Sequence, residues 1–290
     1  MLTGSDYLEI REKLLDKELF VFDMDGTIYL GSRPFGFAIR FIDRLRRSGR
    51  RVMFFTNNAS RSPEHYLERL GRMGFSPSSA EICTAGDVTC EYLRRHRPGK
   101  SVYLVGTGDL YDQFSGYGIS MTCDRDGMPL DRAGTPDIVV SSFDTSLTYA
   151  KLVNACGYIR AGAEYICTHP DFNCPTETGF VPDSGSIAAC ITASTGVSPV
   201  FFGKPGRETV DMIGEMTSVP REKTVLFGDR MYTDIAAGKR HGILSVLVLT
   251  GETSREDAES AAETDRPDIM LPSLAEAGRI MFPDEGMSDD

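Results

Sequence analysis

The stretch LFVFDMDGTIYLG, Leu19 to Gly31, decides the fold. LFVFD (19–23) reads as a buried strand, an apolar run that ends in two carboxylates, Asp23 and Asp25, one residue apart. Gly26-Thr27 then reads as a turn. On a strand the two acids face the same way, with Met24 opposite. Carboxylates about 4 Å apart repel by about 4 kcal/mol at an effective dielectric of about 20. The pair therefore calls for a partner that the strand itself does not supply.

Outward from this stretch, short apolar strands alternate with helical patterns. GFAIRFIDRLRRSG (36–49) is a helix with a glycine stop, and RVMFFTNN (51–58) is a second strand. Ser62-Pro63 starts a helix with Tyr66, Leu70 and Met73 on one face, ended by Gly74. Near the other end come the strand TVLFGD (224–229), a helix from Met231 to His241, and the strand ILSVLVLTG (243–251). Near-continuous apolar strands joined by helices imply a parallel sheet covered on both faces. Ligands in such sheets bind beyond the carboxyl ends of the strands. The segment from Gly86 to Ser198 reads as a second α/β unit inserted into the first. It holds SVYLVGTG, the turn-rich CDRDGMPLDRAGTP, DIVVSS, a helix opened by Thr148, and EYICTHPDFNCPTETGFVPDSGS. The expected division is 1–85 with 199–290 as core, and 86–198 as insert.

At 290 residues and 41% hydrophobic, the chain can bury a large core and fits two domains better than one. A net charge of −11 and a pI of about 4.9 argue against a nucleic-acid partner or an anionic membrane. Seven cysteines, without a C-x-x-C pair, read as reduced, mostly buried thiols of a cytoplasmic protein. No apolar stretch approaches the ~20 residues of a membrane span. The N-terminus reads as a polar helix and not as a signal peptide. The tail PDEGMSDD reads as disordered.

Four polar signals lie where strands end or helices begin: Asp23-x-Asp25-Gly26-Thr27, Thr56-Asn57-Asn58, Gly203-Lys204-Pro205, and Gly228-Asp229 with Asp234 following. Each also has a plain reading as a turn, cap or loop. Gathering Asp229 and Asp234 beside Asp23 multiplies the repulsion. Either one acid is protonated or a divalent cation sits among them. Oxygen ligands with few carboxylates suit magnesium, which keeps several waters and bridges to phosphate. Thr56 and Lys204 then serve as donors to the remaining phosphate oxygens.

The order D-x-D-G-T, T-N-N, G-K-P, G-D-x-x-x-T-D resembles the haloacid dehalogenase-like phosphatase superfamily. The long insert, YICTHPDFNCPTETGFVPDSGSI and VLVLTGET resemble its subclass IIA, the branch of NagD-like and p-nitrophenyl phosphatases, from about Leu19 to Pro272. The resemblance implies a Rossmann-like parallel-sheet α/β core with a large inserted α/β cap domain. It implies a magnesium-dependent phosphomonoester hydrolase that works on small phosphorylated metabolites through an aspartyl-phosphate. Asp23 matches the nucleophile and Asp25 the general acid/base. Asp23, the Asp25 backbone carbonyl and Asp229 match the Mg2+ ligands, with Asp234 in support. Thr56, the Asn57 backbone N–H and Lys204 match the phosphoryl clamp. Thr27 and Asn58 support the turns that carry these groups.

The insert is where substrate preference is expected, around THPDFNCPTETG, with His169, Asp171, Asn173 and Glu177 on offer. The same residues also suit a proline-rich turn with capped ends. Pairing of two chains through the cap is a further implication of the resemblance. Three other readings stand beside the hydrolase: a phosphotransferase or mutase using the same aspartyl-phosphate, a signalling phospho-receiver, and a non-catalytic metabolite-binding protein. The chain length, the large insert and the paired acid Asp25 argue against the receiver, and the intact Asp23 and Asp25 argue against the non-catalytic protein.

Overall fold

The computed structural model describes residues 4–131, 134–176 and 179–283. Glu177 and the tail from Asp284 lie outside them. In chain order, α1 (Gly4–Leu15) leads to β1 (Leu19–Phe22), β2 (Tyr29–Leu30), β3 (Arg33–Pro34), α2 (Gly36–Arg47), β4 (Arg51–Thr56), α3 (Pro63–Arg72) and β5 (Ile82–Thr84). There follow α4 (Ala85–His96), β6 (Ser101–Val105), α5 (Gly108–Gly116), β7 (Ser120–Met121), β8 (Ile138–Ser141), α6 (Tyr149–Arg160) and β9 (Glu164–Cys167). Next come β10 (Asn173–Thr176), β11 (Gly179–Pro182), α7 (Ser184–Thr195), β12 (Val200–Phe201) and α8 (Arg207–Thr217). The chain closes with β13 (Thr224–Gly228), α9 (Ala236–His241), β14 (Leu244–Val248), α10 (Arg255–Ser260), β15 (Ile269–Leu271) and α11 (Leu274–Met281).

Two compact units result: Met1–Phe55 with Tyr66–Ile82 and Ile213–Asp290, and Thr56–His65 with Cys83–Met212. The first is built on a six-stranded sheet of order β15-β14-β13-β1-β4-β5. β1 runs parallel to both β13 and β4, with Phe22 level with Phe227 and Phe54. Phe22 stacks on Phe227 at 5.1 Å between ring centroids and meets Phe41 of α2 edge-on at 6.1 Å. This aromatic layer fixes the height at which β1 and β13 end, and hence where the acids that follow them emerge. The amphipathic α2 turns Ala38, Phe41, Ile42 and Leu45 inward, which covers one face of the sheet.

The second unit has a five-stranded parallel sheet of order β12-β9-β8-β6-β7 and the antiparallel hairpin β10-β11. Its division from the first unit falls at other residues than those expected from the sequence. Residues 199–212 group with the insert because β12 adds to its sheet beside β9 and Phe202 N–H donates to the Cys167 carbonyl at 2.8 Å. Residues 56–65 join it through Asn57 and through the Thr107 hydroxyl, which donates to the Ser60 carbonyl at 3.1 Å. GTGDL (106–110) is a strand-to-helix turn, with Thr107 capping α5. Lys151 of α6 is fully buried, and its ammonium donates to Asp144 (2.7 Å), Ser146 (3.1 Å) and the Gly106 carbonyl (3.1 Å), which satisfies its three protons.

The expected helix over 231–241 begins differently. Residues Met231–Ile235 form a single π turn before α9. Asp234 N–H and Ile235 N–H both donate to the Arg230 carbonyl (3.1 and 3.2 Å), while the Asp234 carboxylate reaches back to accept from Arg230 N–H at 3.2 Å. The widened turn folds Asp234 back over the end of β13, as such turns do at functional sites. The seven cysteines are free thiols; five are buried, Cys174 is half-buried and Cys190 exposed. Among the described residues no helix is long and apolar enough to cross a membrane.

Candidate active site

In the first unit, Asp23 directly follows β1 and its N–H donates to the Phe227 carbonyl at 2.9 Å, extending the ladder by one residue. Asp229 directly follows β13, and Asp234 comes off the π turn. One carboxylate oxygen from each of Asp23, Asp229 and Asp234 lies within 4.8 Å of the other two. All three are buried, Asp234 completely. Asp25 stands outside this trio; it is half-buried, and its Oδ1 accepts a long bond of 3.4 Å from Gly31 N–H.

The turn between the paired acids and β2 is shaped for close approach. Gly26 has φ +84, a conformation few other residues adopt. A Cβ placed on Gly26, or on Gly251, would collide with the Asp229 carboxylate. Thr27 is fully buried, with its N–H donating to the Met24 carbonyl at 3.2 Å. Thr250 Oγ1 donates to the Gly26 carbonyl at 2.6 Å, Glu252 N–H to Asp229 Oδ2 at 2.7 Å, and Thr253 N–H to the Asp229 carbonyl at 3.2 Å. The segment 250–253 thus clasps both the acid turn and Asp229. This clasp was missed in the sequence, where VLVLTGET carried only a likeness.

In the second unit, Thr56 ends β4 and its Oγ1 accepts from Asn58 N–H at 3.2 Å. Asn58 Oδ1 in turn accepts from Ser60 N–H and Oγ (2.9 and 2.7 Å), which holds the loop after the strand. Asn57 is buried and pairs with the Lys204 peptide on both sides. Its Nδ2 donates to the Lys204 carbonyl at 2.9 Å, and its Oδ1 accepts from Lys204 N–H at 2.7 Å. The same Nδ2 donates to Asp171 Oδ2 at 3.0 Å. Gly203 permits this approach, since a Cβ there would press on His169 and Asn57.

The residues expected to set substrate preference separate into three kinds. His169 is fully buried: Nε2 lies 2.8 Å from Asp183 Oδ1 and Nδ1 lies 3.0 Å from the Thr168 hydroxyl. Asp183, which also caps α7, had no sequence signal beyond its place before Ser184-Gly185. Asp171 is half-buried against Asn57, and Asn173 is exposed at the start of β10. Asp171 and His169 are thus tied to Asn57 and Asp183, and Asn173 alone of the three faces solvent.

The acid trio has the chemistry of a hard-cation site. Three carboxylates within 4.8 Å of one another, two of them deeply buried, are costly unless positive charge offsets them. Asp, oxygen-only donors and a glycine-lined cradle suit magnesium or calcium rather than a softer metal. The residues present therefore fit a divalent cation.

The comparisons with known proteins agree with this chemistry. Residues 20–120 match the haloacid dehalogenase-like hydrolase family, and residues 201–277 match a second, HAD-hydrolase-like family. The chain belongs to the haloacid dehalogenase-like hydrolases, in the subclass of NagD and the p-nitrophenyl phosphatases. It is a phosphatase, a hydrolase of phosphoric monoesters. It is 33% identical over 243 residues to an acid sugar phosphatase of Staphylococcus aureus, covering 83% of this chain and 90% of that protein. A 4-nitrophenylphosphatase from Thermotoga maritima has 40% identity and a TM-score of 0.84, covering 93% of this chain and 99% of that one. A glycerol phosphate phosphatase from Mycobacterium tuberculosis, solved with magnesium, has 29% identity and a TM-score of 0.80, covering 91% of this chain and 77% of that one.

Proposed function

We propose that the protein is a magnesium-dependent phosphatase of small phosphorylated metabolites in the cytoplasm, working through an aspartyl-phosphate on Asp23. The observation that carries this reading is the convergence of Asp23, Asp229 and Asp234 within 4.8 Å while Asp25 stands apart. A carboxylate that is to attack phosphorus sits with the cation ligands, and one that is to move protons stays out of them. Asp23, Asp229 and the Asp25 carbonyl, with Asp234 in support, would hold the cation, which when bound would supply charge that offsets the phosphate's own.

Asp23 attacks phosphorus; the new O–P bond forms as the bond to the leaving oxygen breaks, and Asp25 gives that oxygen its proton. Asp25 then takes a proton from water, whose oxygen attacks phosphorus and releases Asp23 and inorganic phosphate. Thr56, Asn57 N–H and Lys204 hold the equatorial oxygens, and the Asn57 amide keeps the Lys204 backbone in place. Sugar phosphates and glycerol phosphate are the substrate class suggested by the relatives. The test is a panel of phosphorylated metabolites with Mg2+, read as released phosphate. We expect several small monoesters to be cleaved. A stable phospho-protein with no phosphate released would favour the receiver reading instead.

The two cap acceptors differ in expected effect. Asn173→Ala shifts the ranking of substrates more than it lowers turnover of an aryl phosphate. Asp171→Ala removes a partner of Asn57 and so weakens all substrates alike, by about tenfold for one hydrogen bond to a charged group. Steady-state kinetics on two sugar phosphates and 4-nitrophenyl phosphate separates the two; identical profiles for both variants would contradict the assignment.

A further inference from the structure

Arg230 stands between two of the three clustered acids. Its N–H donates to Asp234 Oδ2, its carbonyl accepts from Asp234 N–H, and it directly follows Asp229. Its backbone cannot move without moving the cluster. The side chain is only 23% exposed, and Nε lies 3.0 Å from Glu252 Oε2, off the hydrogen-bonding line, so the contact is an ion pair. Glu252 is held in turn by its own N–H on Asp229 Oδ2 (2.7 Å) and by the Tyr232 hydroxyl (3.3 Å). One residue thus touches both an acid of the cluster and the arginine beside it.

We propose that Arg230 is a fixed counter-charge at the acid cluster, held by Glu252, and that this pair sets how tightly the cluster binds a divalent cation. The proposal rests on the reading of the cluster as a cation site. The ion pair sets the guanidinium beside Glu252, whose own N–H sits on Asp229 Oδ2, and so within the field of the acids. The coupling is mutual: the acids feel the guanidinium as strongly as it feels them. Without a cation, Arg230 offsets repulsion among the carboxylates. With one bound, the guanidinium and the dication repel. Glu252 cancels part of the arginine's field and so favours the cation. The two members of one ion pair therefore act on metal affinity with opposite signs.

The experiment uses the full chain as wild type, Arg230→Gln, Arg230→Lys and Glu252→Gln, titrated calorimetrically with Mg2+ and melted in chelator and in excess Mg2+. Arg230→Gln should bind Mg2+ at least about tenfold tighter, because the site loses a cationic neighbour that repels the dication. It should also melt lower in chelator, so that its Mg2+-induced rise in Tm exceeds the wild type's. Glu252→Gln should bind Mg2+ more weakly, and Arg230→Lys should stay near wild type. A purely structural latch predicts that Arg230→Gln and Glu252→Gln both weaken binding; that result, or unchanged affinity in both, overturns the proposal. Arg230→Lys and Glu252→Gln keep the test decisive should Arg230→Gln fail to fold. A wild type that binds no Mg2+ would instead bring down the cation-site reading, and this proposal with it.

Discussion

Asp23→Asn loses turnover of 4-nitrophenyl phosphate by about four orders of magnitude or more, the scale seen when an enzyme's nucleophile is removed. The substitution changes no volume and keeps the N–H that bonds the Phe227 carbonyl. The strand, the aromatic layer of Phe22, Phe41 and Phe227, and the turn at Gly26 are untouched by it. What changes is the attacking group: an amide does not displace an alkoxide from phosphorus. The loss should appear in kcat with the far-ultraviolet spectrum and the melting transition preserved. Removing one charge from the acid trio should, if anything, raise Tm in chelator. Retention of most activity would mean that another residue attacks phosphorus, and the assignment of Asp23 would fall.

The second large effect is on metal removal. Excess chelator should reduce phosphatase activity to background, and Mg2+ should restore it fully. The same titration should be visible in stability, because the cation binds a cluster that exists only in the folded chain. At a hundredfold excess over Kd the gain is about 2.7 kcal/mol. For a chain of this size that raises Tm by about 5–10 °C. The sign follows from the trio: three buried carboxylates within 4.8 Å repel without a cation and attract one when it is present. Activity and melting that ignore the chelator would show that the acids are neutralised by other means.

The acids were legible in the sequence because their positions follow from strand ends. An apolar run that stops at Asp23, and another that stops at Asp229, place both residues at the carboxyl edge of one parallel sheet. The π turn was not legible, since Met231 to His241 carries a continuous helical pattern. The widening comes from Asp234 bonding back to Arg230, a local competition that periodicity does not record. The grouping of Lys204 was likewise hidden. β12 is only two residues long, and its partner β9 lies far away in the chain. His169 shows a third limit: the sequence offered it for substrate preference but gave no sign that Asp183 and Thr168 would stand at its two ring nitrogens. Arg230 and Glu252 were missed because an ion pair across two loops leaves no spacing signature.

The side chain of Asn57 imitates a length of backbone: it offers a donor and an acceptor to the Lys204 peptide, as a neighbouring strand would, and spends the same amide donor on Asp171. Engineering is where this matters. A specificity loop attached only through its ends could be exchanged among relatives as a cassette, with the chemistry left intact. Here the loop is wired at Asp171 to the residue that seats Lys204; with Lys204 in the proposed phosphoryl clamp, a transplanted loop lacking an acceptor at that position would reset turnover along with the preference. Swaps that carry the Asp171 equivalent across should succeed where shorter grafts give weak, unselective enzymes.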